Sequence, residues 1–242
     1  MKNRILPDIF FILALCIFSE LLFISCFKVK FDRGDIEMRC FEEKDFKKIE
    51  LSGDMTVEVI FGNQFQIQVS EDKNMDKYLS IDKIQDTLKI KNTSVKNLTE
   101  CKIVVTMPKI SKCIVYGGCS VFIKDFNAPD DTLIVFQSGT SNINLENVLF
   151  KKIEASQNGT GKFLLQGKTN ILKYSSSGTA NLYASTLETE KVYLSWYGSG
   201  YAEVYAKEKL DIDISGTGII KYKDKPEIVR SIRGSVNITR IN

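Results

Sequence analysis

The chain has 242 residues, 43% of them hydrophobic, enough for a real core in one large β domain or two small ones. Charged residues make up 26%, both signs are interleaved, and the net charge is +3 with no polybasic stretch, so neither nucleic acid nor an acidic membrane surface is implied as a partner. Histidine is absent, which removes the commonest general base and the commonest metal ligand together.

In chain order, residues 1–25 read as a targeting segment: Lys2 and Arg4 form a basic start, and an apolar run from residue 9 to 25 follows, broken at Ser19 and Glu20. The run ends Leu22-Phe-Ile-Ser-Cys26, which resembles a bacterial lipobox, with Cys26 as the expected lipid-attachment residue. The competing reading is an uncleaved anchor, short for a bilayer core of about 30 Å. Either way the rest of the chain lies outside the cytoplasmic membrane. Residues 26–45 are polar and without period, as expected of a tether.

From Lys47 the pattern alternates: Ile49 and Leu51, Val57 and Val59, then Phe65, Ile67 and Val69. Residues 74–79 suggest one helical turn, residues 87–91 and 102–107 further strands, and residues 127–131, with Pro129, a loop. No stretch has helix-length amphipathicity, so the class is all-β.

The second half repeats one phrase: Gln137-Ser-Gly-Thr-Ser, Gln157-Asn-Gly-Thr-Gly, Ser176-Ser-Gly-Thr-Ala, Trp196-Tyr-Gly-Ser-Gly, Ile214-Ser-Gly-Thr-Gly and Ile232-Arg-Gly-Ser-Val. Its glycines are Gly139, Gly159, Gly178, Gly198, Gly216 and Gly234, stepping by 20, 19, 20, 18 and 18 residues. Four and six residues on either side stand apolar residues, such as Leu172 and Tyr174 before Gly178, and Leu182 and Ala184 after it. That is a half-buried strand, a sharp bend and another half-buried strand. Gly117 and Gly53 head two earlier copies, but the step of 64 residues between them holds no clear intermediate copy. The last coil frays, with Arg230 and Arg240 at apolar slots, as a terminal coil does. The expected architecture is a right-handed β-helix or solenoid-like stack of 18–22-residue coils with glycine corners, less regular over residues 46–110 and regular over 111–242.

These residues resemble the head GIN domain family, proposed heads of autotransporter adhesins. The resemblance rests on the Ser-Gly-Thr repeats, on Phe46-Lys-Lys-Ile-Glu-Leu-Ser-Gly-Asp-Met-Thr-Val-Glu-Val, on Val104-Val-Thr-Met-Pro-Lys-Ile, and on the stretch from Ala202 to Gly218. It covers about residues 45–242 and implies a β-helical, surface-exposed protein for which adhesion is proposed. Cys119 and Arg233 depart from the usual small residue and the usual serine of the family.

Cys40, Cys101, Cys113 and Cys119 would permit two disulfides, though Cys113 falls on an inward slot; no C-x-x-C is present and no metal site is expected. The acidic pairs Asp130/Asp131 and Asp211/Asp213 form no ladder, and a solvated strand face accounts for the second pair. Three residues before successive glycines stand Phe136, Ser156, Ser175, Ser195, Asp213 and Ser231, read as an outward polar ladder. Without histidine a serine triad is excluded. Tyr183, Tyr193, Tyr197, Tyr201 and Tyr205 point outward and are the candidate ligand-binding residues, while Trp196 has inward parity. The expected function is a non-catalytic, lipid-anchored envelope module that binds a glycan or a surface protein and uses no cofactor. The alternatives are a carbohydrate-active enzyme on the same scaffold, or a structural protein that associates with copies of itself.

Overall fold

A computed structural model describes residues 36–72, 76–93 and 101–242; the expected leader, the lipid-attachment Cys26 and the first part of the tether lie outside them. The strands are β1 (Ile36–Phe41), β2 (Lys48–Gly53), β3 (Thr56–Phe61), β4 (Gln66–Asp72), β5 (Leu79–Ile84), β6 (Thr87–Asn92), β7 (Lys102–Met107), β8 (Lys112–Gly117), β9 (Ser120–Lys124), β10 (Asn127–Gly139), β11 (Asn142–Gly159), β12 (Lys162–Lys223) and β13 (Glu227–Arg240). A single 3-10 turn, Asp76–Tyr78, stands where the helical turn is expected. From β8 onward the chain winds as a β-solenoid, each coil hydrogen-bonded in parallel to the next.

The coil built by β11 has three straight stretches. In β11 the buried residues are Ile143 and Leu145, then Val148 and Phe150, then Ile153, Ala155 and Gln157, so the alternation slips at two bends. The stretch before each glycine makes the first face, the stretch after it the second, and a short third stretch closes the coil. The glycines stack in register, Gly117 on Gly139, Gly139 on Gly159, Gly159 on Gly178 and Gly216 on Gly234. At Gly159 the reason for glycine is direct: φ is +138°, and a Cβ there would sit 2.2 Å from the carbonyl oxygen of Gly139 on the next coil. A second corner column lies eight residues on, at Asp125, Asn147 and Gly167, all with positive φ. Asp, Asn and Gly are the residues that tolerate that conformation, and the Asn147 amide donates to Asp125 Oδ1 at 2.7 Å.

The missing copy between Gly53 and Gly117 is β6 with β7, and the chain visits it out of order. β2 pairs in parallel with β8 on one side and β6 on the other, and β3 likewise lies between β9 and β7. Between β3 and β8 the chain therefore lays down an outer rung, β6 with β7, before β8 takes the inner side of β2. That rung has Asn92 at the corner, not glycine; its amide donates to the carbonyl of Asp54 at 2.8 Å. Beyond it the stack is closed by antiparallel strands, β5 on β6, and β4 then β1 on β7. So the N-terminal third continues the stack and also caps it.

Two expectations need correction. Residues 36–41, assigned to the tether, form β1 because Met38 to Phe41 pair along β4. Residues 127–131 are not a free loop: Asn127 and Ala128 already pair with Leu149 and Phe150, and the ladder is irregular only up to Thr132. Cys113 and Cys119 are buried thiols, so Cys113 fills the inward slot that its parity assigns to it. Burial pushes both thiols up to about 12. Cys119 donates to the carbonyl of Gly53 at 3.1 Å, the bond Ser141 makes to Gly117 one coil later at 2.8 Å.

One core fills the stack, from Phe46 and Ile49 to Ile214 and Ile220. Beside the glycine corner it carries buried polar residues: Gln137, Ser141, Gln157 and Ser176. Gln157 donates to the carbonyl of Gly161 at 2.6 Å and accepts from the Tyr174 hydroxyl. Corners turn backbone carbonyls inward, and a buried carbonyl without a donor is costly, so side-chain amides supply it.

Candidate functional site

Parallel in-register stacking turns any residue type repeated at one slot into a row along the rod. On the first face, three outward rows result. The middle row is Ser156, Ser175, Ser195 and Asp213, three residues before the glycines; Ser156 and Ser175 hydroxyls meet at 2.9 Å. One flanking row is Glu154, Lys173, Tyr193 and Asp211, the other Asn158, Ser177, Tyr197, Ser215 and Arg233. Serine is short and, Ser177 and Ser215 aside, the residues of the flanking rows are longer, so the face is hollowed along its middle. The hollow comprises two concavities of about 460 and 450 Å³, and Ser175, Ser195 and Asp213 line both.

The predicted tyrosines divide between two faces. Tyr193 and Tyr197 wall the hollow from either side, and Tyr197 is 74% exposed. Lys173 and Lys209 lie over the Tyr193 ring, 5.8 and 5.4 Å from its centroid, a cation–π arrangement that holds the ring in place. Lys209 also pairs with Asp211 at 2.7 Å, and this hydrogen bond holds its ammonium above the usual lysine range. Tyr183 and Tyr201 lie across the glycine corner, on the second face, with ring centroids 5.4 Å apart. Tyr201 donates to Glu203 and has Lys221 over its ring at 5.4 Å. Tyr205 is further along that face, with Lys207 over its ring at 6.0 Å. Trp196 is buried beneath the corner, as its parity requires.

The acidic pairs separate in the same way. Asp131 is held by Lys109 at 2.9 Å, away from the hollow, while Asp211 and Asp213 belong to the hollow's own rows. Among the described residues no three His, Cys, Asp or Glu gather as a metal group. What the first face offers is hydroxyls, a carboxamide and carboxylates at the spacing of stacked strands, about 4.8 Å, between two rings and two cations. Sequence reading found the middle row and the tyrosines beside it but missed the rest of the Tyr197 row, Asn158, Ser177 and Arg233, one residue before each glycine; their column was there to be aligned.

The family model described as "Putative auto-transporter adhesin, head GIN domain" matches residues 45–226. A crystal structure of a putative adhesin from Bacteroides fragilis NCTC 9343 is similar with a TM-score of 0.78 at 23% identity, over 85% of this chain and 97% of its own. A putative lipid binding protein from Parabacteroides distasonis ATCC 8503 gives 0.70 at 23%, over 87% and 98%. A putative adhesin from Parabacteroides merdae ATCC 43184 gives 0.64 at 18%, over 87% and 98%. These likenesses are of fold. A comparison with curated proteins finds no match. With three quarters of its length matched by the family model, and with solved neighbours of the same fold, the chain belongs to the family of auto-transporter adhesin head GIN domains.

Proposed function

We propose that this protein is a non-catalytic adhesin head, tethered to the cell envelope by lipid at Cys26, that holds an extended glycan along the hollow of its first face. The observation that carries the reading is the serine row between Tyr193 and Tyr197. Hydroxyls and amides at regular spacing suit the repeated hydroxyls of a polysaccharide, and aromatic rings give apolar faces for sugar rings to lie on. The family's adhesin description supports recognition over turnover. The hydroxyls of Ser175 and Ser195 have no histidine to activate them.

The test is a glycan array with wild type, Tyr193→Ala/Tyr197→Ala, and Tyr183→Ala/Tyr201→Ala. Binding should be lost in the first variant and kept in the second. Equal signal from all three would remove the hollow as the binding face. Release of reducing ends from bound polysaccharide by wild type would make the protein an enzyme instead.

A further inference from the structure

The two ends of the stack are built differently. At the N-terminal end, antiparallel β5, β4 and β1 cover the outer rung. At the other end β13 pairs with β12 along one side only, from Glu227 against Lys209 to Arg240 against Tyr222; no described strand pairs its other side. Its free backbone donors and acceptors face away from the stack, in the geometry that accepts another strand.

The side chains of this rung point to one kind of occupant. Ile228 continues the inward row of Leu210, and half-buried Ile232, Val236 and Ile238 pack on the core, so an apolar strip runs along the edge. Arg230 stands in register with Ile212 and Arg240 with Tyr222, replacing apolar residues at inward slots, and Arg233 stands with Ser215. All three arginines are exposed, and none of them takes part in an ion pair among the described residues. Glu227 is the single acidic residue of the strand. A second copy meeting this edge would set arginines against arginines, so like-charge repulsion disfavours end-to-end stacking of the rod. A strand that carries apolar and acidic residues in turn on one face, as in valine-serine-glutamate-serine-valine, meets both features at once, because Ile228, Arg230 and Ile232 share the inward parity. A polysaccharide would satisfy the charges but not the ladder of backbone groups.

We infer that the β13 edge is a second binding site, separate from the first-face hollow, which takes an extended acidic segment of a partner protein by strand addition. Main-chain bonds would give affinity, and the arginines would select acidic over neutral or basic strands.

The experiment uses the full-length protein in detergent and fluorescent heptapeptides of the pattern valine-serine-glutamate-serine-valine-serine-glutamate, or the same with lysine in place of glutamate. The Glu peptide should bind and the Lys peptide should not. Arg230→Glu/Arg240→Glu should weaken the Glu peptide by about tenfold or more and admit the Lys peptide. Arg230→Lys/Arg240→Lys should keep the acidic preference, and unchanged circular dichroism would show that both variants are folded. A Glu peptide N-methylated at alternate residues cannot complete the ladder and should fail to bind. Equal binding of the methylated peptide would reduce the site to plain charge attraction and overturn strand addition. Absence of Glu-peptide binding, or a wild-type dimer that Arg230→Glu abolishes, would overturn the inference outright.

Discussion

Gly159→Ala bears most directly on what holds the coils together. The substitution puts a Cβ at a backbone φ of +138°, where a side chain costs about 1–2 kcal/mol. The new atom would lie 2.2 Å from the carbonyl oxygen of Gly139 and 3.0 Å from that residue's carbonyl carbon and nitrogen. Ordinary contact needs about 3.5 Å, so the coils would have to part by roughly an ångström. Both partners are main chain, fixed on either side by Ser138 paired with Asn158 and Thr160 bonded to Gly139 at 3.0 Å, so neither can swing aside. Overpacking of this kind adds about 1–3 kcal/mol, for a total of about 2–5 kcal/mol. Gly118→Ala is the control, since its Cβ would meet first the carboxylate of Asp54, a side chain that can move. Urea titrations followed by circular dichroism and by Trp196, the sole tryptophan, give the midpoint and show whether coils unfold together. Gly118→Ala should fall within about 0.5 kcal/mol of wild type. A Gly159→Ala midpoint equal to that of Gly118→Ala would refute stacking as the reason for the glycine column.

Cys113 and Cys119 keep their protons to about pH 12 in the fold, because burial disfavours the thiolates, while a thiol in the unfolded chain ionises near pH 8.5. The folded state therefore binds more protons above that value, and stability should fall as pH rises from about 8.5, by up to about 1.4 kcal/mol per unit for each thiol. Cys113→Ala should halve this slope between pH 8.5 and 10 in urea titrations; a slope unchanged by the substitution would contradict it. The Tyr174–Gln157 bond lies in the core, so a double-mutant cycle with Tyr174→Phe and Gln157→Leu should give a coupling of about 1–3 kcal/mol, and strict additivity would count against the buried bond. Cys26→Ser should abolish incorporation of labelled fatty acid and move the protein from the membrane to the soluble fraction. Retained label would exclude that cysteine.

Legibility followed regularity. Coils whose corners use Gly-Thr or Gly-Ser show their period in the residues, because a main-chain approach such as Gly139 to Gly159 admits nothing larger. The outer rung was hidden because Asn92 makes its corner and because β6 and β7 stack outside β2 and β3 although they follow them in sequence. No local pattern records such a reversal. Likewise, outward parity identified the five tyrosines, but it does not say on which side of Gly198 a ring ends up. Tyr197 and Tyr201, four residues apart, lie on different faces for that reason. Tyr174 reads as an apolar filler until the corner carbonyls that need donors, and the Gln157 amide that serves them, are placed.

Cysteine pairs across β11 and β12 test the stack itself. The residues Glu154 and Lys173, Ser156 and Ser175, and Asn158 and Ser177 are partners at one constant offset, as parallel strands require; antiparallel strands keep the sum of partner numbers constant instead. Replacing each pair in turn by two cysteines and oxidising should give an intramolecular disulfide in all three. Cross-linking confined to one of the three would mean that these strands run in opposite directions, and the rows that make the first face would not exist.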